Sequence, residues 1–451
     1  MPGATRTWPL LLVILAGASA LGPGAARVAA ADDRQAFSEL VRSAVRVMLR
    51  DVRKQIEQSY YDPSFHGVDL AANAAVALAR IDKAVSASEA LAAVAQFEIE
   101  LDDSHTIFWP PYQTVQADYG WDMRTIGDGC YVMHVKPDSD AARQGLAPGD
   151  RITAINGLQP TRQSLWRLHY LWETLRPQPG LHLDVVTPAG TVRELDLAAK
   201  LRRLPTVMDL TTDFFTYEAH EQDEYDKWWQ EQSPRMVEVG DGKVLVLRLP
   251  TFEIDNSRIQ QLLKRVRGHE VLILDLRGNG GGSHEALLSL LGGFYASDLP
   301  LGSWRKRGEL TPVTAQGTGK QAFGGRLFVL VDSASASASE LFARVIQLSE
   351  RGTVIGDRSA GAVMVSRFYP LEATHGENVI AYATQVAIAD FIMTDGGRLE
   401  KAGVEPDFQV LPTAQDLAAD RDPALAQALK FAGVALDSAA AGALLPQPAG
   451  R

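Results

Sequence analysis

The chain has 451 residues, 46% of them hydrophobic and 22% charged, the balance of a folded globular protein with a large core, and its length suggests about two to four domains. A net charge of −11 with no run of Lys and Arg argues against a nucleic-acid partner. The single cysteine, Cys130, excludes an intramolecular disulfide, so packing alone must hold the fold.

Residues 1–31 read as an export signal: Arg6 supplies the positive start, "WPLLLVILAG" the apolar stretch, and "ASA" or "AAA" the small-residue cleavage site. The apolar run is short for a bilayer, so the mature chain is expected to have no membrane span and to be periplasmic or secreted. From 34 to 112 the pattern is helical. Phe37, Leu40, Val41, Val45 and Met48 recur at helical spacing, and Ser86 with Glu89 opens a second helix as a capping pair. From 116 to 200 the texture turns to short alternating strands around "GCYVMHVKPDSDAARQGLAPGDRITAINGLQP". The order of its "GL-x-PGD-x-I-x-x-ING" segment resembles a PDZ domain, which implies binding of an extended peptide beside a sheet edge.

Residues 201–235 are polar, acidic and aromatic, and are expected to be a linker. From 236 to 415 strands alternate with helices ("KVLVLRL", "VLILDL", "RLFVLVD", "NVIAYATQVAIAD"), which predicts a sheet with helices packed on it. The final stretch, 435–451, is expected to be a flexible tail.

Two junctions in this last block carry chemistry. In "LDLRGNGGGSH", residues 274–284, a strand runs into a cluster of glycines that lets backbone N–H groups approach a ligand closely. The segment lacks the Gly-Lys-Ser/Thr of a P-loop and the spacing of a dinucleotide fingerprint. In "DSASASASELFA", residues 332–343, four serines span a strand-to-helix junction, where unpaired N–H groups and the helix dipole would stabilise an oxyanion. Only Ser337 has an acid three residues on, Glu340, which makes it the expected N-cap of a capping box. His284 and Ser359 are not expected to be site residues. Ser359 in "DRSAG" lacks the glycine of a nucleophile elbow, and His284 stands at a helix start. No metal-ligand spacing is present, and no metal or other cofactor is expected.

Taken in order, the signal, helical block, PDZ pattern, "DLRGNGGG" and "SASASE" resemble the carboxyl-terminal processing protease and tricorn core protease family of serine peptidases. The resemblance implies a crotonase/ClpP-like α/β core with an N-terminal helical domain and an inserted PDZ domain. It also implies a protein or peptide as substrate. By this resemblance Ser337 is the nucleophile, and the amides of Gly280 and Ala338 form the oxyanion hole. The lysine used by the processing proteases falls on Ala362 in "VIGDRSAGA", so that dyad is missing. The tricorn-like alternative is a histidine before the PDZ domain and a glutamate near the C-terminus. "ELDDSHTIF" supplies His105 and "LEKAGVEPD" supplies Glu400. A serine hydroxyl needs an adjacent base and the base an orienting acid, so the substitution is chemically coherent. Glu400 would hold the imidazole directly or through a bridging side chain, or else simply pair with Lys401. Two other functions stay open: a silent peptide-binding protein of the same fold, and a hydrolase of small esters or amides.

Overall fold

The computed structural model describes residues 39–111, 115–203, 232–375 and 378–445. The signal expected at 1–31 lies outside the described residues, as does all but the two ends of the linker expected at 201–235. Among the described residues no helix is long and apolar enough to cross a membrane.

Three helices come first, α1 (Glu39–Ser59), α2 (Leu70–Lys83) and α3 (Ala87–Ile99). Each starts where a local cap permits: Asp69 accepts from the N–H groups of Ala71 and Ala72, and Ser86 from that of Glu89 at 3.2 Å. The Glu89 carboxylate returns to Val85 N, one residue ahead of the cap. The buried stripe of α1 is Val45, Met48, Val52 and Ile56, whereas Leu40, in the first turn, is 45% exposed.

A strand β1 (Ile107–Trp109) leads to β2 (Val115–Asp118) and then to the PDZ-like sheet. That sheet contains β3 (Trp121–Ile126), β4 (Gly129–Val135), β5 (Arg151–Ile155), β6 (Gly180–Val186) and β7 (Val192–Ala198), antiparallel in sequence order. Helices α4 (Asp140–Arg143) and α5 (Leu165–His169) accompany it, α5 continuing as a π-helical turn over Tyr170–Leu175. Strand β8 (Lys200–Arg203) closes the unit by pairing with β2.

The α/β part begins with β9 (Arg235–Val239), β10 (Val244–Arg248), α6 (Asn256–Val266), β11 (Val271–Asp275) and α7 (His284–Gly292). It continues through β12 (Leu299–Lys306), β13 (Glu309–Ala315), β14 (Arg326–Val331), α8 (Ala338–Leu348) and β15 (Thr353–Gly356). After the long strands β16 (Met364–His375) and β17 (Asn378–Met393) come β18 (Phe408–Gln409), α9 (Ala414–Ala418), α10 (Pro423–Ala432) and α11 (Ser438–Leu444). The main sheet has the order β18-β15-β14-β11-β10-β9, parallel except for β9. Its central strands are apolar at nearly every position because both faces are covered. Leu245 and Leu247 face α6, α7 and α8, while Val244 and Val246 face α10 and α11. The glycine loop leaves the carboxyl end of β11 and the serine loop that of β14, the edge where open α/β sheets place their ligands.

The helical block is not a closed unit. Met48, Val52 and Ile56 of α1 share one core with Tyr382, Val386 and Ala387 of β17, and β1 pairs with β17 through Ile107 opposite Gln385. This pairing carries the segment before β1 to the C-terminal part of the α/β region. Residues 435–451, expected as a flexible tail, form α11 over Ser438–Leu444, and Ala441 and Leu445 complete the apolar face beneath α10. An alanine-rich stretch looks low in complexity, yet small side chains are what allow a helix this close approach.

The PDZ-like sheet is fastened to the α/β part by polar contacts. Arg162 Nη2 meets Asp357 Oδ2 at 2.6 Å with both side chains largely buried, and the same oxygen accepts Gly127 N at 2.9 Å. Arg124 Nη1 meets Asp332 Oδ2 at 2.6 Å, directly before the serine loop.

Candidate active site

The glycine loop is tied down by side-chain hydrogen bonds. Asp275, fully buried, accepts Arg277 Nε and Nη2, each at 2.8 Å, and Arg277 also grips Asp422 at the start of α10. Asn279 spans the turn, donating from Nδ2 to Leu249 O and accepting Gly281 N, both at 2.8 Å. Gly278 N donates to Asp332 Oδ1 at 2.9 Å, which ties the loop to the base of the serine segment. The N–H groups of Gly280 and Ala338 have no acceptor among the described residues. A Cβ on Gly280 would meet nothing within 4 Å. The space on the Cβ side of Gly280 is open.

Gly281 stands where a side chain cannot: its φ is +103°, and a Cβ there would lie 2.7 Å from Ser337 Cβ and 3.1 Å from Ala336 O. Gly281→Ala is therefore expected to cost about 1 kcal/mol or more of stability. It should also slow acylation of Ser337 by a fluorophosphonate at least about tenfold. A thermal melt and a labelling time course measure the two effects separately.

The four serines have four different tasks. Ser333 Oγ donates to Thr125 O of the PDZ-like sheet, Ser335 Oγ to Leu276 O at 2.8 Å, and Ser339 Oγ to Asn279 O at 2.9 Å. Ser337, facing Gly281, is the N-cap of α8 with φ 55° and ψ −115°. A non-glycine residue held in this region stores strain and commonly marks a functional position. Its N–H donates to Ala362 O at 2.9 Å and to Glu340 Oε2 at 3.0 Å. Glu340 thus supplies the return arm of the expected capping box, and it does more. Fully buried, it also accepts Ser359 Oγ at 2.6 Å, Gly361 N at 2.7 Å and Ala362 N at 2.9 Å. Burial pushes its carboxyl up while these four donors oppose the shift. Ser359 is accordingly a buried brace, which also accepts Val404 N at 2.6 Å.

The other half of the site comes from residues far away in sequence. Glu400 accepts Val363 N at 2.9 Å and Ser104 N at 2.9 Å, and Ser104 Oγ donates to Glu400 Oε2 at 2.9 Å. Ser104 Oγ lies 2.6 Å from His105 Nδ1. With the hydroxyl proton committed to the carboxylate, Oγ accepts from Nδ1–H, which leaves Nε2 as the free basic nitrogen. Burial raises Glu400 to about 7 and lowers His105 below the ordinary imidazole value, the latter opposed by the charge of Asp103. Lys401 does not pair with Glu400; its ammonium meets Asp102.

A run of backbone and side-chain contacts therefore joins Ser337 to Ala362, Val363 to Glu400, and Glu400 through Ser104 to His105. His284 is outside this run, half-buried and edge-on to Trp304 at 5.6 Å. Ser104 and Asp103 are the neighbours that sequence reasoning left unnamed. Their signal was present in "DDSH", where polar side chains flank the histidine before an apolar strand.

Residues 243–410 match the model of Peptidase family S41, and residues 115–167 match the PDZ domain. The α/β part is thus matched by a peptidase family S41 domain and the block before it by a PDZ domain. The tail-specific protease of Haemophilus influenzae is 26% identical over 316 residues, covering 67% of this chain and 42% of that protein. The carboxy-terminal processing protease CtpB of Bacillus subtilis is 25% identical over 319 residues, covering 70% and 57%. The chain therefore spans about half the length of these two relatives. Among solved structures, mature CPAF complexed with lactacystin is similar in fold, with a TM-score of 0.62 at 16% identity over 84% of this chain and 96% of that one.

Proposed function

We propose that the protein is an exported serine endopeptidase that hydrolyses peptide bonds in protein or peptide substrates, with Ser337, His105 and Glu400 as its catalytic residues. The observation that supports this reading best is the contact run from Ser337 to His105 by way of Glu400 and Ser104. His105 Nε2 takes the proton from Ser337 Oγ as the oxygen attacks the scissile carbonyl. The carbonyl oxygen becomes negative and is met by the free N–H groups of Gly280 and Ala338. Collapse of this intermediate returns the proton from Nε2 to the leaving amine and leaves an acyl-enzyme on Ser337. Water then repeats the sequence in reverse. Ser104 passes the orienting influence of Glu400 to Nδ1, which sets the tautomer in which Nε2 is the basic nitrogen.

Ala362 contributes only backbone to Ser337 and Glu340, and no amine is needed where a histidine serves as base. This favours catalysis over a silent peptide-binding protein. The PDZ domain would hold an extended segment of substrate and raise its concentration at the cleft. Export to the periplasm or outside the cell rests on residues 1–31.

A fluorophosphonate probe tests the reading directly: it is expected to label the protein at Ser337 and to block hydrolysis of an unstructured protein such as casein. No labelling would leave a peptide-binding protein. Labelling accompanied by ester but not peptide hydrolysis would point to a small-molecule hydrolase.

A further inference from the structure

We infer that Asp103 is a positioning residue for the base, fixing the backbone of His105 and supplying the negative charge against which the imidazole takes up the Ser337 proton. This rests on the reading of His105 as the base. Asp103 is 7% exposed and has no Lys or Arg partner among the described residues. It is instead surrounded by donors. Oδ1 accepts His105 N at 2.8 Å and Thr106 N at 2.7 Å, while Oδ2 accepts Tyr60 Oη at 2.8 Å and Thr106 Oγ1 at 2.9 Å. Thr106 Oγ1 in turn accepts Ala387 N of β17 at 3.1 Å, and Tyr60 follows the last turn of α1. One carboxylate therefore joins α1, the His105 turn and, through Thr106, β17.

The charged and titratable groups around His105 leave this role to Asp103. Asp102 is half exposed and neutralised by Arg167 at 3.2 Å and by Lys401. Glu98 of α3 is fully buried beside Thr384, and burial holds its carboxyl well above the usual range, in the neutral form. Glu400 reaches the ring only through Ser104 and, raised to about 7, is incompletely ionised near neutral pH. His66 Nδ1 lies 3.5 Å from the Tyr60 hydroxyl and 2.8 Å from Leu101 O, so it meets Asp103 only by way of that hydroxyl. Among the described residues Asp103 is a buried acid beside His105 with no Lys or Arg partner, and it raises the proton affinity of both His105 and Glu400.

Asp103→Asn separates position from charge. The amide oxygen still accepts His105 N and Thr106 N, and the amide nitrogen donates to the Tyr60 and Thr106 hydroxyls, which can accept. Removing the negative charge lowers the proton affinity of His105 and Glu400 alike. The rising limb of the pH profile for fluorophosphonate labelling should then move to lower pH by about one unit. The plateau rate should fall about 10- to 100-fold. A limb that stays in place overturns the inference whether or not the rate falls, because a purely structural role changes the rate without moving the limb. Tyr60→Phe removes one donor and leaves the charge less compensated, so the limb should move to higher pH. This variant decides the question if Asp103→Asn does not fold, and an unmoved limb there also overturns the inference. His105→Ala run alongside isolates the underlying reading: full labelling in that variant would remove His105 as base whatever Asp103 does.

Discussion

Ser337→Ala is expected to lower kcat by about a million-fold while leaving the fold nearly intact, because in the proposed mechanism the hydroxyl is the bond-forming group. The backbone contacts of Ser337 with Ala362 and Glu340 do not involve the hydroxyl and persist in the variant. Loss of stability should stay near 1 kcal/mol, the usual worth of an N-cap side chain. The neighbouring serines should behave in the opposite way. Ser335 and Ser339 are fully buried with their hydroxyls on Leu276 O and Asn279 O, carbonyls that also accept Asn279 N and Ala336 N, so alanine at 339 removes one buried hydrogen bond and costs about 1 kcal/mol, while alanine at 335 also strips Asp332 N of its acceptor and costs about 1 to 3 kcal/mol. Activity should fall far less. Parallel thermal melts and kcat measurements on the three variants distinguish nucleophile from scaffold, and near-wild-type turnover by Ser337→Ala would remove it from the mechanism.

His105→Ala should reduce kcat/KM by several orders of magnitude, on the scale seen when a triad base is deleted. In the wild type, His105 is lowered by burial and Glu400 raised to about 7, so the imidazole is already neutral when the carboxyl loses its proton. The rate is therefore expected to climb as pH rises through about 7, the step that converts Glu400 to the anion that orients the ring. Glu400→Gln removes that step. Its limb should shift to lower pH, where His105 alone titrates, and its plateau should fall less than that of His105→Ala because the imidazole remains. The same carboxyl carries a stability signature. Its folded value lies above the ordinary unfolded one, so the stability linked to its bound proton is present at low pH and lost as pH rises through about 7. Glu400→Gln should flatten that part of the stability profile. Ala362→Lys in the His105→Ala background should recover little activity, since no part of the described site is arranged to desolvate an amine. An unchanged pH profile in His105→Ala would defeat the assignment of the base.

Much of the site's local structure could be read directly from residue order. The run "VLILD" specifies a buried strand, the glycines after it a turn that tolerates positive φ, and Ser337 with Glu340 the start of a helix, because each depends on neighbours within a few positions. Family resemblance then proposed roles for Ser337, Gly280, Ala338, His105 and Glu400 without locating them relative to one another. Which acid reaches Ser104, where Lys401 finds its partner, and what Asp103 holds are decided elsewhere. Ser104 and Glu400 are 296 positions apart and meet because β1 pairs with β17 and α1 packs beneath it. The same packing turns the helical block from a separate domain into one wall of the site, and the apparent tail into α11 beneath the sheet. Turns and helix starts need only short-range contacts, so residue order determines them. The proton affinities of His105, Glu400 and Glu340 depend on burial and on distant donors, and only the closed tertiary structure brings these together.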